Sequence, residues 1–231
     1  MLPKTQRIVR DGVQREVSEL LRILDRRGGV CYREAMNKIQ LQPVSLARMV
    51  RAVEKVRERL LRSTSALDAA NVPYAVIGGN AVAAWVSRVD EAAVRNTQDV
   101  DILVRRADFE RVKAALEGAG FVYGCSMDVQ FFLDGPDAKV RDAVHLLMAG
   151  EKVKEHYASA TPDVADSHRG EEFQVIELQP LIEMKLNSWR DKDRTHVRDM
   201  IDIGLIDSTW PSRFQPALSS RLQGLLDDPE G

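Results

Sequence analysis

Two aspartates separated by a single residue, Asp99 and Asp101, begin a stretch whose alternating pattern predicts a β-strand over Asp99–Val104. Successive side chains on a strand point to opposite faces, so both carboxylates project from the same face, a few ångströms apart. Two negative charges that close repel each other unless a cation lies between them. The pair therefore indicates a site for a hard divalent ion such as Mg²⁺, shared with phosphate oxygens. A half-exposed edge strand with an acidic face would show the same spacing.

A pair of glycines, Gly78-Gly79, separates a short apolar stretch that predicts a strand, Tyr74–Ile77, from a segment that predicts a helix, Asn80–Ser87, with Asn80 as its N-cap. Glycine allows positive φ at such a turn and lets a phosphate group approach the backbone amides. The N-terminus of the following helix adds the partial positive charge of its dipole. The glycines are thus a candidate phosphate-binding turn, although a plain turn between a strand and a helix has the same pattern.

The remaining elements predict a mixed α/β fold. Residues 1–70 have helical patterns throughout, and a loop of small and polar residues is expected at Ser159–Gly170. Strands are predicted at Phe121–Tyr123, Val129–Leu133, Val140–Met148 and Phe173–Leu178, and helices at Ala107–Glu117, Leu181–Trp189, His196–Ile203 and Pro216–Leu226. This order predicts an α/β (α+β) protein with a mixed sheet, flanking helices, a helical N-terminal extension and a helical C-terminal part.

A strand, a Gly-Gly turn, a helix and an Asp-x-Asp on the next strand together resemble the nucleotidyltransferase superfamily. The sequence YAVIGGNAVAAW followed by RNTQDVDILV is similar to the abortive-infection AbiEii/AbiGii toxin-type branch. The resemblance covers roughly Leu60 to Leu205 of this chain. The resemblance implies transfer of a nucleoside monophosphate from an NTP to an acceptor, with release of pyrophosphate. It also implies that Asp99 and Asp101 hold Mg²⁺ (or Mn²⁺) against the triphosphate, whose phosphates contact Gly78 and Gly79.

The superfamily often carries a third carboxylate on a later strand, and here the candidate strand contains Asp142 and His145. An odd number of positions separates the two residues, so they face opposite sides of a regular strand and only one of them can line the site. Alignment by eye places His145 where the carboxylate is expected. A neutral histidine there could bind the metal or accept a proton, or it could be hydrogen-bonded within the sheet. This departure leaves a weakened or lost activity open.

The C-terminal segment MKLNSWRDKDRTHVRDMIDI contains a second group of charged residues. It is similar to the toxin-type relatives, which carry a lysine on one C-terminal helix and Arg-Asp-x-x-Asp on the next. The resemblance implies that Lys185 reaches the NTP phosphates and that Asp199 or Asp202 lies on the acceptor side. Lys185 also has apolar neighbours, and a cation packed against a core requires an anionic partner. The run RDKDR is equally typical of a surface lattice of salt bridges.

Charge is unevenly distributed along the 231 residues, whose net charge is −2. Residues 1–62 carry a net charge of +8 and the rest of the chain −10. We expect three parts: a helical basic N-terminal extension at 1–62, a nucleotidyltransferase-like core at 63–178, and a helical part at 179–231 that completes the site. The basic extension could contact an anionic partner such as RNA, although solvated helix faces would also account for its charge.

The composition excludes a disulfide-stabilised secreted protein and a transmembrane protein. Two cysteines, Cys31 and Cys125, cannot form a disulfide framework, and no apolar run approaches the ~20 residues of a membrane span. We therefore expect a cytoplasmic protein. The favoured function is transfer of a nucleoside monophosphate to RNA, a protein or a small molecule. The alternatives are a non-catalytic nucleotide- or RNA-binding module of the same fold and the toxin component of a toxin–antitoxin or abortive-infection system.

Overall fold

The computed structural model describes residues 41–126, 129–135, 138 and 142–228. The chain divides into two compact units, residues 1–47 and residues 48–231. Only residues 41–47 of the first unit are described, so most of the basic segment, the helices expected before residue 41 and Cys31 lie outside the described residues. Among the described residues, no helix combines the length and the apolar character that crossing a membrane requires.

The first described helix, α1 (Leu46–Ala69), runs without a break through residue 62. Its buried residues Leu60, Thr64 and Leu67 recur every three or four positions, which places them on one face. The helix ends where the amide of Val72 donates to the carbonyl of Leu67 and the intervening Asn71 adopts a left-handed conformation. Leu46–Ala69 thus forms one continuous helix, and the first strand begins a few residues after it.

Seven strands form one mixed sheet in the described part of the chain: β1 (Tyr74–Ile77), β2 (Val100–Val104), β3 (Val122–Ser126), β4 (Val129–Leu133), β5 (Ala143–Met148), β6 (Ser167–Arg169) and β7 (Gln174–Ile176). Their order in the sheet is β3-β4-β5-β2-β1-β7-β6. The pairs β1–β7 and β2–β5 are parallel, and the other neighbours are antiparallel. The short polar strand β6 lies in a segment that the sequence predicts as loop.

Helices cover both faces of the sheet, so its central strands are apolar on both sides. The helices that follow α1 are α2 (Gly78–Ser87), α3 (Phe109–Gly118), α4 (Leu178–Ser188), α5 (Asp191–Asp202) and α6 (Pro216–Asp227). On one face, Tyr74 and Val76 pack in a core with α1 and α3; on the other, Ala75 and Ile77 pack in a core with α2 and α4–α6. The mixed α/β fold class predicted from the sequence is confirmed.

Candidate active site

The pairing of β1 with β2 brings the glycine turn beside the acid pair. The strands are antiparallel, and Ile77 at the end of β1 lies opposite Asp101. Gly78 follows with φ +69°, and a Cβ atom at this position would lie 2.8 Å from Cγ of Asp101. Both the backbone conformation and the space therefore require glycine at position 78. A Cβ at Gly79 would instead lie 2.7 Å from Oγ1 of Thr97, so this glycine packs against the loop before β2.

Asn80 has a different role from the one that the sequence predicts. The helix α2 begins at Gly78, its N-cap is Ile77, and no side chain caps it, so the prediction of an Asn80 cap is wrong. Instead the side-chain amide of Asn80 donates to the carbonyl oxygen of Asp99 at 2.8 Å. This bond joins the first turn of α2 to the residue that precedes β2, and it fixes the backbone that carries the first acid.

A cavity of about 320 Å³ opens at this end of the sheet. It contains five of the residues singled out from the sequence: Gly78, Asp99, Asp101, His145 and Lys185. Gly79 and Asp199 are not among its lining residues. Further lining residues come from the end of α4, the start of α5 and the segment before β6, and they include Tyr157, Ser159, Asn187, Ser188, Arg190, Lys192 and Asp193.

The negative charge of the Asp101 carboxylate is only partly balanced by the residues around it. Its side chain is 27% exposed, and within the described part of the chain no donor lies within hydrogen-bond distance of it. Removal from bulk water raises the pKa of Asp101, while His145 and Lys185 oppose this shift electrostatically. The nearest charged partner is Nδ1 of His145, 3.8 Å from Oδ1 of Asp101. The folded chain thus holds a carboxylate whose charge its own groups satisfy only in part.

Asp99 lines the same cavity and also has a distant cationic partner. Nζ of Lys192, at the start of α5, lies 3.8 Å from Oδ2 of Asp99, and both side chains are partly exposed. The sequence does not distinguish Lys192 from the other charges of RDKDR, which are typical of a solvated surface. Its position shows that the first turn of α5 approaches the acid pair.

His145 lies at the position where the sequence comparison expects a third carboxylate. The parallel register of β2 with β5 pairs His145 directly with Asp101, and both residues line the cavity. Asp142 immediately precedes β5 and is not among the lining residues. Of the two residues that the sequence offers, the structure therefore places His145 in the cavity.

Lys185 is buried on α4 and is held by Asp193 of α5. Its Nζ donates to Oδ1 of Asp193 at 3.1 Å, and the residue is only 5% exposed. Burial lowers the pKa of Lys185, and the adjacent Asp193 raises it in part. Asp193 has no exposed surface, and although burial alone would raise its pKa, hydrogen bonding by Arg190 and the charge of Lys185 hold it below its usual range. Arg190, which is largely exposed, also bonds to the buried Asp193 and completes an ionic network that the sequence did not reveal.

Asp199 lies apart from this network. Its Oδ2 accepts a bond of 2.6 Å from Nε of Arg95, a residue of the loop between α2 and β2. The Asp199 side chain is 13% exposed, and it is not among the residues that line the cavity. The role of Asp199 on the acceptor side stays a prediction.

The donor set at the acid pair fits a hard divalent ion. Two carboxylates line one cavity, and the one on β2 lacks a hydrogen-bond donor among the described residues, so a cation would supply its missing partner. No group of three or more histidine, cysteine, aspartate or glutamate side chains forms a metal cluster in the described ranges. The pair alone is nevertheless typical of Mg²⁺, which binds one or two carboxylates together with substrate phosphates and water.

A mixed sheet that carries two carboxylates beside a glycine turn, with cations lining the same cavity, defines a nucleotidyltransferase-type domain. The chain belongs to the family of uncharacterised nucleotidyltransferases, whose model matches residues 41–205. That range contains the glycine turn, the acid pair, Lys185 and Asp193. The superfamily predicted from the sequence is thereby confirmed, and the toxin-type branch stays a prediction.

No curated protein sequence matches the chain. Among solved structures, it is similar to the antibiotic-resistance factor ANT(2'')-Ia, at 16% identity and a TM-score of 0.45 over 78% of this chain and 91% of that one. An antigenic nucleotidyltransferase-like protein from Paracoccidioides brasiliensis has 17% identity and a TM-score of 0.47 over 76% and 89% of the two chains. JHP933 from Helicobacter pylori has 19% identity and a TM-score of 0.40 over 80% and 78%. Similarity at this level says nothing of substrate or acceptor.

Proposed function

We propose that the protein transfers a nucleoside monophosphate from an NTP to a hydroxyl-bearing acceptor. One observation carries the proposal: Asp99 and Asp101 line a single cavity with Gly78 and Lys185, and the Asp101 carboxylate has no hydrogen-bond donor among the described residues. An ionised carboxylate without a hydrogen-bond donor costs the fold free energy unless a bound cation compensates its charge. The family of the chain supports the same reaction.

The reaction is a substitution at the α-phosphorus of the NTP. The acceptor oxygen forms a bond to that phosphorus, the bond to the oxygen bridging the α- and β-phosphates breaks, and pyrophosphate leaves with the bonding electrons. The acceptor hydroxyl releases its proton to solvent. Negative charge accumulates on the phosphate oxygens during this step, so positive groups and backbone amides nearby lower the barrier.

The residues of the cavity divide these tasks. Gly78, which lines the cavity, belongs with Gly79 to the turn against which the phosphates lie, and Lys185 provides a fixed positive charge for them. Asp99 and Asp101 would hold Mg²⁺ or Mn²⁺, with His145 as a third group beside the pair. When bound, such an ion neutralises charge on the phosphates and aligns the attacking and leaving oxygens. An imidazole nitrogen suits Mn²⁺ better than Mg²⁺, so both ions belong in the assay.

The test is transfer of label from each α-³²P-labelled NTP, with Mg²⁺ or Mn²⁺, to total RNA, cell protein or a small-molecule extract. The wild type is compared with Asp101→Asn and with Asp142→Asn, a matched control that removes an acid next to β5 but outside the cavity. We expect Asp142→Asn to transfer label like the wild type, whereas Asp101→Asn loses roughly 1000-fold in rate. Undiminished transfer by Asp101→Asn would contradict the proposal. The labelled pool identifies the acceptor class.

A second candidate function follows from His145. A histidine at the position expected for a third carboxylate favours a non-catalytic nucleotide- or RNA-binding module of the same fold. The same assay separates the two functions, because the module binds nucleotide and transfers no label to any of the three pools. If RNA is the labelled pool, residues 1–62 are the part that we expect to contact it, since they carry the positive charge.

The toxin-type resemblance adds a separate prediction. A toxin component arrests growth when it is expressed without its neutralising partner, and the arrest depends on Asp99 if it results from nucleotidyl transfer. Normal growth of cells that express the intact wild type would contradict this interpretation without affecting the transfer reaction.

A further inference from the structure

Asp193 is a fully buried carboxylate on the first turn of α5, and it accepts five hydrogen bonds. Nζ of Lys185 donates to Oδ1 at 3.1 Å, and the hydroxyl of Ser188 donates to Oδ2 at 2.5 Å. Nε of Arg190 donates to Oδ2 at 2.7 Å, and a terminal nitrogen and the backbone amide of the same residue donate at 3.3 Å. These bonds fix two side chains of α4 and one of the link between α4 and α5 to a single acid.

The charges of this network do not cancel. One carboxylate faces two cations, Lys185 and Arg190, so the group as a whole carries a net charge of about +1 at neutral pH. All three residues line the cavity that also contains the acid pair. The Arg190 side chain is 59% exposed, so its guanidinium has surface left for a ligand. A simple buried ion pair would be neutral, whereas this network leaves positive charge at the cavity wall.

A second pair in the same turn shows what an ordinary surface contact looks like. Asp191 forms an ion pair with Arg194, and the Asp191 side chain is 93% exposed. Neither residue of this pair lines the cavity. The surface-lattice interpretation of RDKDR therefore applies to Asp191 and Arg194, and Asp193 with Arg190 requires another account.

We propose that Asp193 is a positioning residue that holds Lys185 and Arg190 side by side as a two-cation site for the pyrophosphate portion of the NTP. The inference rests on the proposed function and adds Arg190 as a phosphate-binding residue beside Lys185. Two adjacent cations suit a chain of linked phosphates, and a guanidinium can bind two phosphate oxygens at once. The negative charge of Asp193 reduces the repulsion between the two cations, so they stay adjacent before the substrate binds.

The probe is inorganic tripolyphosphate with Mg²⁺, because it is independent of the base and of the acceptor. Its dissociation constant is measured by titration calorimetry on the full chain for the wild type, Asp193→Asn, Arg190→Gln and Asp191→Asn. We expect Asp193→Asn and Arg190→Gln to bind roughly tenfold or more weakly, an effect typical of the loss of a group that orients a ligand-binding side chain. Asp191→Asn is the matched control and binds like the wild type.

Two further measurements distinguish the positioning role of Asp193 from a purely structural one. Arg190 is largely exposed, so Arg190→Gln folds even if Asp193→Asn does not, and wild-type affinity in Arg190→Gln overturns the inference. If both variants fold, the loss caused by Asp193→Asn is smaller in the Arg190→Gln background than in the wild type, because Asp193 acts partly through Arg190. Additive losses would also overturn it. Label transfer by the wild type tests the proposed function independently of this binding result.

Discussion

Two aspartates that line the same cavity, one on the sheet and one on the C-terminal helices, are in opposite electrostatic situations. Asp101 on β2 accepts no hydrogen bond from the described residues, and loss of water raises its pKa. Asp193 on α5 accepts five, and its pKa lies below the usual range because its donors outweigh its burial. The sheet therefore presents an acid without a hydrogen-bond donor among the described residues, and the helices present one that accepts five hydrogen bonds.

This difference leads us to expect different roles for the two acids, with Asp101 binding a ligand and Asp193 holding other side chains in place. An ionised carboxylate without hydrogen-bond donors costs the fold free energy, and we expect its position to be explained by a ligand that brings positive charge. A carboxylate with five donors is already part of the fold, and its contribution to the site is the arrangement of the cations around it. The two acids should therefore respond oppositely to the same substitution.

The largest expected effect is on the free energy of unfolding. Asp193→Asn leaves Lys185 buried without its counter-ion, and breaking a buried pair in this way costs about 3–5 kcal/mol. Asp101→Asn leaves stability unchanged or raises it in metal-free protein. The folded-state pKa of Asp101 lies above the unfolded value, so any stability that it contributes is lost as pH rises through the folded pKa.

Urea denaturation at neutral pH in the presence of a chelator measures both variants. Asp191→Asn, which changes an exposed acid two residues before Asp193, is the control and shifts stability by less than about 0.5 kcal/mol. A large loss of stability in Asp101→Asn, or none in Asp193→Asn, would contradict the comparison.

The sequence predicts the sheet part of the site better than the helical part. Asp99 and Asp101 are related by the two-residue period of a strand, and Gly78 lies at a strand end, so local rules suffice to find them. The antiparallel register that joins Ile77 to Asp101 follows from the same short segment of chain. Strand alternation predicts only that one of His145 and Asp142 faces the site, and the choice of His145 comes from the resemblance to the superfamily.

The helical part depends on contacts that no local rule predicts. Asp193 and Asp191 are two positions apart in one run of charges, yet one is fully buried and the other 93% exposed. The difference arises at Trp189, whose left-handed φ of 52° ends α4 and turns the chain so that α5 packs back on it. Asn80 is a similar case, because its bond to Asp99 spans 19 residues and competes with the capping role that its position favours.

A smaller effect tests the contact between the glycine turn and the acid pair. Alanine at Gly78 must adopt φ +69° and place its Cβ against the Asp101 carboxylate, whereas alanine at Gly120 must adopt φ +87° in open space. We expect Gly120→Ala to cost about 1 kcal/mol, which is the cost of the backbone conformation alone, and Gly78→Ala about 2–3 kcal/mol. Gly78→Ala also reduces label transfer because Asp101 moves. Equal losses of stability in the two variants would show that Asp101 does not limit the space at Gly78.

The smallest effect concerns His196, on the helical side of the comparison. Its Nδ1 is buried without a hydrogen-bond partner among the described residues, and burial, with repulsion from Lys185, lowers its pKa to about 4. The unfolded chain binds a proton near pH 6.5, so between that pH and about 4 the unfolded state holds more protons and stability falls as pH falls. Asp193 stays ionised throughout this window because its pKa lies below it.

His196→Gln should therefore remove a pH-dependent loss on the order of 1 kcal/mol between pH 7 and pH 5, a figure that allows for the partial exposure of the ring. Urea denaturation at the two pH values measures it, and His156→Gln, at an exposed position, serves as the control. If the loss persists in His196→Gln, the imidazole is not kept neutral by its surroundings. A protonated His196 would then add to the positive charge that Lys185 and Arg190 carry on the helical side, although it is not among the residues that line the cavity.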